Sequence, residues 1–292
     1  SDKEKVSGEM SDAKVRLREE IAEQIKALQD MKVMALTYGV DISKPATNAH
    51  EAVQFTYLGY LSAVKEQDGA AMSLGNVSSF LDVYIQNDIE AGIIDEEQAQ
   101  EYIDQFVMKL RLVRHLRPGA YDVIFGGDPT WVTEAIGGQL HDGRTKVTKT
   151  SFRFLQTLYN LGASPEPNLT ILWSESLPKG FKDFCAQVSI DTSSLQYEND
   201  DLMRENRGSD DYGIACCVSY QEIGKTIQHF GARANLPKAL LLALNGGREE
   251  SEGVQVVSGI SEMDDEVLDY DTVMKSFKKT MAEVARVYAK SM

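Results

Sequence analysis

Residues 151–188, SFRFLQTLYNLGASPEPNLTILWSESLPKGFKDFCAQV, hold the alternation that decides the fold. A helix is predicted over 151–160, after which Pro165 and Pro167 break the pattern. Beyond the prolines, Leu169-Thr170-Ile171-Leu172-Trp173 is a short apolar run bounded by turn residues, the mark of a buried strand. A second helix is predicted over 179–188. Upstream, apolar residues recur at three- and four-residue spacing from Asp12 to about Tyr38 (Val15, Leu17, Ile21, Ile25, Leu28, Met31, Met34), which predicts a helix. Another helix is expected from Thr47 as N-cap through Val53, Tyr57, Tyr60 and Leu61, and residues 80–85 form a further apolar segment. Asp95 with Gln98 three residues on marks a helix start, and Tyr102, Phe106, Leu110 and Val113 line one face up to a stop at Pro118.

Between residues 126 and 143 five glycines and a proline punctuate short elements. Residues 191–211 are polar, residues 213–218 read as a second buried strand, and residues 231–244 read as a loop entering a helix that ends at Gly246-Gly247. Helices interleaved with short apolar strands predict an α/β fold with a mostly parallel sheet. The last helix starts near Asp271 and carries Val273, Phe277, Met281, Val284, Ala285 and Tyr288 on one face. It is still in register at Met292, and the chain starts with Ser rather than Met, so the expectation is a segment of a longer protein.

Composition narrows the function. The chain has 292 residues, 42% of them hydrophobic, enough for one large domain or two smaller ones. Thirty Lys and Arg against 45 Asp and Glu leave a net charge of −15, and the basic residues do not cluster, which argues against nucleic acid. No stretch is apolar for long enough to cross a bilayer, and the polar opening, residues 1–12, lacks the apolar core of a signal peptide, so a cytoplasmic location and no membrane contact are expected. His50, His115, His141 and His229 lie far apart with no metal-ligand spacing, so no metal site is expected.

The most unusual local feature is the adjacent pair Cys216-Cys217. Neighbouring cysteines close a disulfide only by distorting the peptide between them, so a structural bridge explains them poorly. Two readings stay open on spacing alone: small apolar residues at a strand end, or a thiol pair in which one sulfur bonds to substrate while the other passes a hydrogen atom. Cys185, alone on a helix face, and Trp173 are read as core.

Several stretches carry a family resemblance: residues 191–201 (DTSSLQYENDD), Cys216-Cys217, residues 230–235 (FGARAN), 65–73 (KEQDGAAMS), 79–85 (SFLDVYI), 127–131 (GDPTW) and 164–173 (SPEPNLTILW). Together they resemble the pyruvate formate-lyase family of glycyl radical enzymes, and the likeness runs from Leu17 onward. It implies an α/β fold, part of a ten-stranded α/β barrel surrounded by helices, with the cysteines on a loop inserted at its centre. Residues 13–292 would form a partial domain of that kind, helical over 13–118 and part of the barrel over 119–292, after a polar segment over 1–12.

By this resemblance Cys216 matches the cysteine that attacks C2 of pyruvate as a thiyl radical and leaves as the acetyl thioester. Cys217 matches the one oxidised by the glycyl radical. Arg233 matches an arginine that binds the substrate carboxylate, and a guanidinium suits that task with two parallel hydrogen bonds. Trp131, Phe125, Phe230 and Ala70 match positions that wall the pyruvate pocket. The implied reaction is pyruvate plus coenzyme A to formate plus acetyl-coenzyme A, a step of anaerobic glucose fermentation. The implied enzyme is a homodimer, has no bound cofactor, and is activated by an iron–sulfur enzyme that uses S-adenosylmethionine.

The departures matter as much. The family's radical glycine lies in a motif close to Arg-Val-Ser-Gly-Tyr, which this sequence lacks. Val257-Ser258-Gly259-Ile260 echoes it without the Arg and Tyr, so Gly259 is rejected as a radical site. A second carboxylate-binding arginine of the family has no match either, so the chain alone is expected to be inactive. A larger 2-keto acid such as 2-ketobutyrate is a rival substrate, since one methylene discriminates weakly. Dehydratase-type relatives resemble one another in a single cysteine with Glu two residues later, where this chain has Val218 and Ser219. From another class, the chain could be a non-catalytic folded module or a proteolytic core.

Overall fold

The helix–strand–helix alternation of residues 151–188 is one repeat of the architecture. The computed structural model describes residues 10–67, 71–115, 119, 129–227, 234–263 and 268–291, and the chain divides into two units, Ser1–Gln228 and His229–Met292. The first unit runs α1 (Asp12–Thr37), α2 (Ala49–Gln67), β1 (Ser73–Gly75), α3 (Val77–Glu90), α4 (Glu96–Leu112), β2 (Thr133–Gly137), α5 (Lys149–Asn160), β3 (Asn168–Trp173), α6 (Lys179–Thr192), β4 (Leu195–Asn199), α7 (Asp200–Arg207), β5 (Tyr212–Ala215) and β6 (Ser219–Glu222). The second holds α8 (Leu236–Leu244) and α9 (Tyr270–Ser291).

Strands β1 to β4 form one sheet in chain order, every neighbouring pair parallel, while β5 and β6 form a separate antiparallel hairpin. Parallel neighbours need crossovers, and the helices α3 to α6 supply them. The two-residue period of a strand then sorts the side chains. Val132, Ile136, Leu169 and Ile171 join the main core with Leu81 and Ile85 of α3, Phe106 of α4, Phe154 of α5 and Phe181 of α6. Ala135 and Leu172, on the opposite face, pack against Tyr212 and Ile214 of the hairpin. The sheet is thus covered by helices on one side and by the hairpin on the other.

Local chemistry sets the helix starts. The Asp95 carboxylate accepts from the Gln98 backbone N–H at 2.8 Å, as the sequence suggests. Thr148 and Ser151 form a reciprocal capping box at α5. At α2 the cap is Asn48, one residue past the expected Thr47: the Asn48 carboxamide oxygen accepts from the Glu51 N–H at 2.9 Å. The Thr47 hydroxyl donates instead to the Glu51 carboxylate, 2.8 Å away. Helix α4 ends at Leu112, before the expected stop at Pro118.

Five elements escape the sequence reading, one of them β6 (Ser219–Glu222), which lies beyond the strand expected over 213–218. Strand β1 is three residues long, and β2 (TEAIG) carries a glutamate and lies in the glycine-punctuated middle. The polar stretch over 191–211 contains β4, whose LQYEN offers too few apolar residues to read as a strand, and the short charged helix α7. Trp173, read as core, is 38% exposed because β3 ends there. Cys185 is buried in the main core. The strand expected over 213–218 stops at Ala215, because Cys216 takes a left-handed backbone conformation, φ +57°.

Strand β5 crosses close to β1. A Cβ on Gly213 would lie 2.7 Å from the Gly75 Cα and 2.9 Å from the Ser73 hydroxyl, so only glycine fits. The base of the hairpin is tied by Asp200, fully buried, which accepts from the Tyr212 hydroxyl at 2.7 Å, the Gln139 N–H at 3.0 Å and the Arg204 guanidinium at 2.9 Å. Burial and this carboxylate push the Tyr212 phenol well above its usual range.

Helix α3 lacks a side-chain cap from Asn76, and Glu134 of β2 replaces it. Its buried carboxyl accepts from the Ser78 N–H at 2.8 Å and the Val77 N–H at 3.2 Å. Burial outweighs these bonds and pushes the Glu134 carboxyl up to about 8.

In the second unit the Asn235 carboxamide caps α8 by accepting from the Lys238 N–H at 3.0 Å. The Ser276 hydroxyl of α9 donates to the Ala243 carbonyl at 2.9 Å. The Gly259 carbonyl accepts from Lys279.

Two outcomes are expected. Gly213→Ala forces β5 off β1 and lowers unfolding stability by about 2 kcal/mol in urea titrations. Glu134 gives a pH slope whose sign follows from its protons. Between the ordinary 4.5 and about 8 the folded chain keeps a proton that the unfolded chain has lost. Stability therefore falls as pH rises through that window and levels off above it. Glu134→Gln, which keeps an accepting oxygen, flattens the difference in urea midpoint between about pH 5 and about pH 8.

Candidate active site

The hairpin turn between β5 and β6 consists of Cys216, Cys217 and Val218, since Ala215 pairs with Ser219. The two sulfurs lie 3.3 Å apart. Cys216 is 7% exposed, whereas Cys217 is exposed. Burial, and next the hydrogen bond with Cys217, push the Cys216 thiol above its ordinary value.

The backbone of Cys216 is gripped at both ends. Its N–H donates to the Met72 carbonyl at 3.2 Å, just before β1. Its carbonyl accepts from the Asn168 carboxamide at 3.0 Å and from the Thr133 hydroxyl. Thr133 and Asn168 are register partners at the starts of β2 and β3, and both belong to the hairpin side of the sheet by the strand alternation. Asn168 also donates to the Gln196 carboxamide oxygen of β4. A left-handed conformation costs a non-glycine residue about 1–2 kcal/mol. Three hydrogen bonds at about 1 kcal/mol each are enough to offset it.

Strain gathers here. Among the described residues the non-glycine positions with positive φ are Ala71 (+76°), Trp131 (+49°), Ser193 (+50°) and Cys216 (+57°). Three of the four are tied together: Ala71 N–H donates to the Thr130 carbonyl at 2.9 Å, Thr130 precedes Trp131, and Met72 follows Ala71 and holds Cys216. Strained backbone collected at one place marks a functional site more often than a structural one. Below this loop, the Glu166 carboxylate accepts from the Thr130 hydroxyl at 2.9 Å and the Val132 N–H at 3.0 Å. The Tyr60 hydroxyl and the Thr130 hydroxyl are 2.6 Å apart. Burial pushes the Glu166 carboxyl upward, against these hydrogen bonds.

Of the residues singled out in the sequence, the structure brings together Cys216 and Cys217 at the turn. Trp131, half-buried, sits in the strained loop that leads into β2. Ala70, Phe125, Phe230 and Arg233 lie outside the described residues. Thr133, Asn168 and Glu166 were not anticipated. Asn168 and Glu166 fall within the SPEPNLTILW stretch, but nothing in their spacing says that they reach another segment. Among the described residues no group of three or more His, Cys, Asp or Glu is placed to hold a metal, and no helix is long and apolar enough to cross a membrane.

The chain is thus a parallel α/β sheet with helices on one face and, on the other, a hairpin tipped with two cysteines. The chain superposes on the glycerol-bound B12-independent glycerol dehydratase of Clostridium butyricum with a TM-score of 0.70 and 25% identity, over 84% of this chain and 32% of that one. It superposes on a glycyl radical enzyme of Archaeoglobus fulgidus with a TM-score of 0.71 and 20% identity, again over 84% and 32%. The four-stranded sheet is therefore part of an α/β barrel. The pyruvate formate lyase-like family model matches residues 5–292, and the chain belongs to that family. It is 60% identical over 277 residues to the formate acetyltransferase of Haemophilus influenzae, covering 95% of this chain and 36% of that protein. The chain thus spans about a third of the length of these relatives.

The thiols should differ in reactivity. Cys185 is 2% exposed and burial pushes it up to about 12. With limiting iodoacetamide near neutral pH, peptide mass spectrometry is expected to find Cys217 alkylated first, at least about tenfold faster than Cys216, and Cys185 last.

Proposed function

We propose that the chain carries the thiol pair of a formate acetyltransferase, which cleaves pyruvate and passes the acetyl group to coenzyme A. The observation that carries this reading is the 3.3 Å separation of the Cys216 and Cys217 sulfurs at a strained turn. The 60% identity to the Haemophilus enzyme supports it.

A glycyl radical, supplied from outside these 292 residues, provides the one-electron oxidising equivalent. Cys217, the exposed member, gives up its sulfhydryl hydrogen atom and becomes a thiyl radical. It then takes the hydrogen atom of Cys216 across the short gap, leaving the radical on the buried sulfur. Cys216 sulfur adds to C2 of pyruvate; the C1–C2 bond breaks homolytically, leaving an acetyl thioester on Cys216 and a carboxyl radical anion. That anion takes a hydrogen atom from a thiol to become formate, which regenerates a thiyl radical. The thiol of coenzyme A then displaces Cys216 from the acetyl group by thioester exchange. The bond between a ketone carbon and a carboxylate offers no acidic proton, and homolysis avoids an acyl anion.

Arg233 holds the substrate carboxylate, and Trp131, Phe125, Phe230 and Ala70 wall a pocket that keeps water from the radical. Residues 13–292 act as one part of a larger catalytic domain: the portion over 13–118 is helical apart from β1, which supplies the first strand of the sheet, and the portion over 119–292 contributes the remaining strands. The whole enzyme works as a cytoplasmic homodimer in anaerobic glucose fermentation, activated by a radical S-adenosylmethionine enzyme.

The test joins the chain to the remaining parts of such an enzyme, with the activating enzyme, pyruvate and coenzyme A. Formate is expected to form, and Cys216→Ser is expected to drop it to background while the glycyl radical signal in electron paramagnetic resonance persists. Unchanged formate production by Cys216→Ser would overturn the assignment.

A further inference from the structure

Cys216 keeps its left-handed backbone although nothing in its own side chain favours it. The groups that hold it come from the sheet. Thr133 and Asn168, register partners on β2 and β3, both donate to the Cys216 carbonyl, and the Met72 carbonyl accepts its N–H. Asn168 is oriented by its neighbours, since its carboxamide also donates to Gln196 and lies 3.3 Å from the Thr133 hydroxyl. The Thr133 N–H donates to the same Met72 carbonyl, at 3.2 Å, that accepts from Cys216. The first residues of the strands thus form a closed ring of hydrogen bonds around the backbone of one residue, Cys216.

We infer that Thr133 and Asn168 are positioning residues for the cysteine pair: by clamping the Cys216 carbonyl they fix the backbone twist that holds the two sulfurs at 3.3 Å and aims the buried thiol. The backbone angle at Cys216 sets the direction of its Cα–Cβ bond. Releasing the carbonyl lets the residue return to the broad negative-φ region, which swings Cβ away and parts the sulfurs. Hydrogen-atom exchange between thiols needs near contact, so the clamp keeps the pair ready before substrate arrives. The consequence for turnover rests on the proposed function; the geometric role does not.

Phenylarsine oxide tests the geometry directly. It condenses with two thiols to a dithioarsenite and releases one water, with no change of oxidation state, and it favours sulfurs already close together. Thr133→Val removes the hydroxyl at nearly constant shape, and Asn168→Asp removes the amide donor. Each is expected to weaken arsenical affinity about five- to tenfold, the loss of one hydrogen bond, while Thr133→Ser keeps it within about twofold. Cys185 stays protected from iodoacetamide in a folded chain and serves as the internal reference, a readout that general loosening would move and loss of the clamp would not. Unchanged affinity in Thr133→Val would overturn the proposal, as would equal losses in Thr133→Ser and Thr133→Val. If Asn168→Asp exposes Cys185, the near-isosteric Thr133→Val decides. In the assembled enzyme, Thr133→Val should lower kcat for formate with the glycyl radical signal intact. A failed Cys216→Ser test with the arsenical result standing would refute the lyase reading and leave the clamp.

Discussion

The structure depends on a hairpin held against the inner face of a parallel sheet, and above all on the bonds to the Cys216 peptide at its tip. A turn carrying two thiols would otherwise be free to sample many conformations. Here it is secured at both ends: by Tyr212 on the buried Asp200 at the base, and by Thr133, Asn168 and Met72 at the tip. Between these anchors Gly213 lets β5 lie almost on the β1 backbone. Each of these features costs something alone, through a buried carboxylate, a left-handed cysteine or a glycine in a strand. They are tolerated because the large apolar core on the other face, from Ala49 to Val188, secures the sheet itself.

The two faces of the sheet divide the work. The helix-facing side is largely apolar, and there the Glu134 carboxyl replaces a missing helix cap. The hairpin-facing side alternates small, polar and apolar residues: Thr133, Ala135, Asn168, Thr170, Leu172. Polar groups at the strand starts reach the cysteine turn, while Ala135 and Leu172 pack under Tyr212 and Ile214. One period-two pattern therefore builds both the core and the platform for the thiols.

Much of this was legible in the sequence, and unevenly. Long periodic helices such as α4 and α9 and the apolar strand β3 announce themselves, because burial on one face repeats at a fixed spacing. Strands β2 and β4 do not: Glu134 and the polar alternation of LQYEN hide them, since Glu134 serves as a remote cap and Gln196 accepts from Asn168. The cysteine pair stands out as a motif, and the family resemblance is what suggests a chemistry for it. The clamp did not stand out, because Thr133, Asn168 and Cys216 are 35 and 48 residues apart along the chain and meet only through strand register. Trp173 misled because its apolar run continues to the last residue of a strand that has already left the core.

The central claim is that the sheet, through its carbonyl clamp, holds Cys216 in a left-handed conformation with its sulfur against that of Cys217. An anaerobic, reduced crystal structure of the chain, refined at a resolution that places carbonyl oxygens and sulfurs independently, tests it most directly. The account predicts positive φ at Cys216, a carbonyl accepting from both Thr133 and Asn168, and sulfurs within van der Waals contact. A Cys216 with negative φ, its carbonyl turned to solvent and the sulfurs apart, would contradict it.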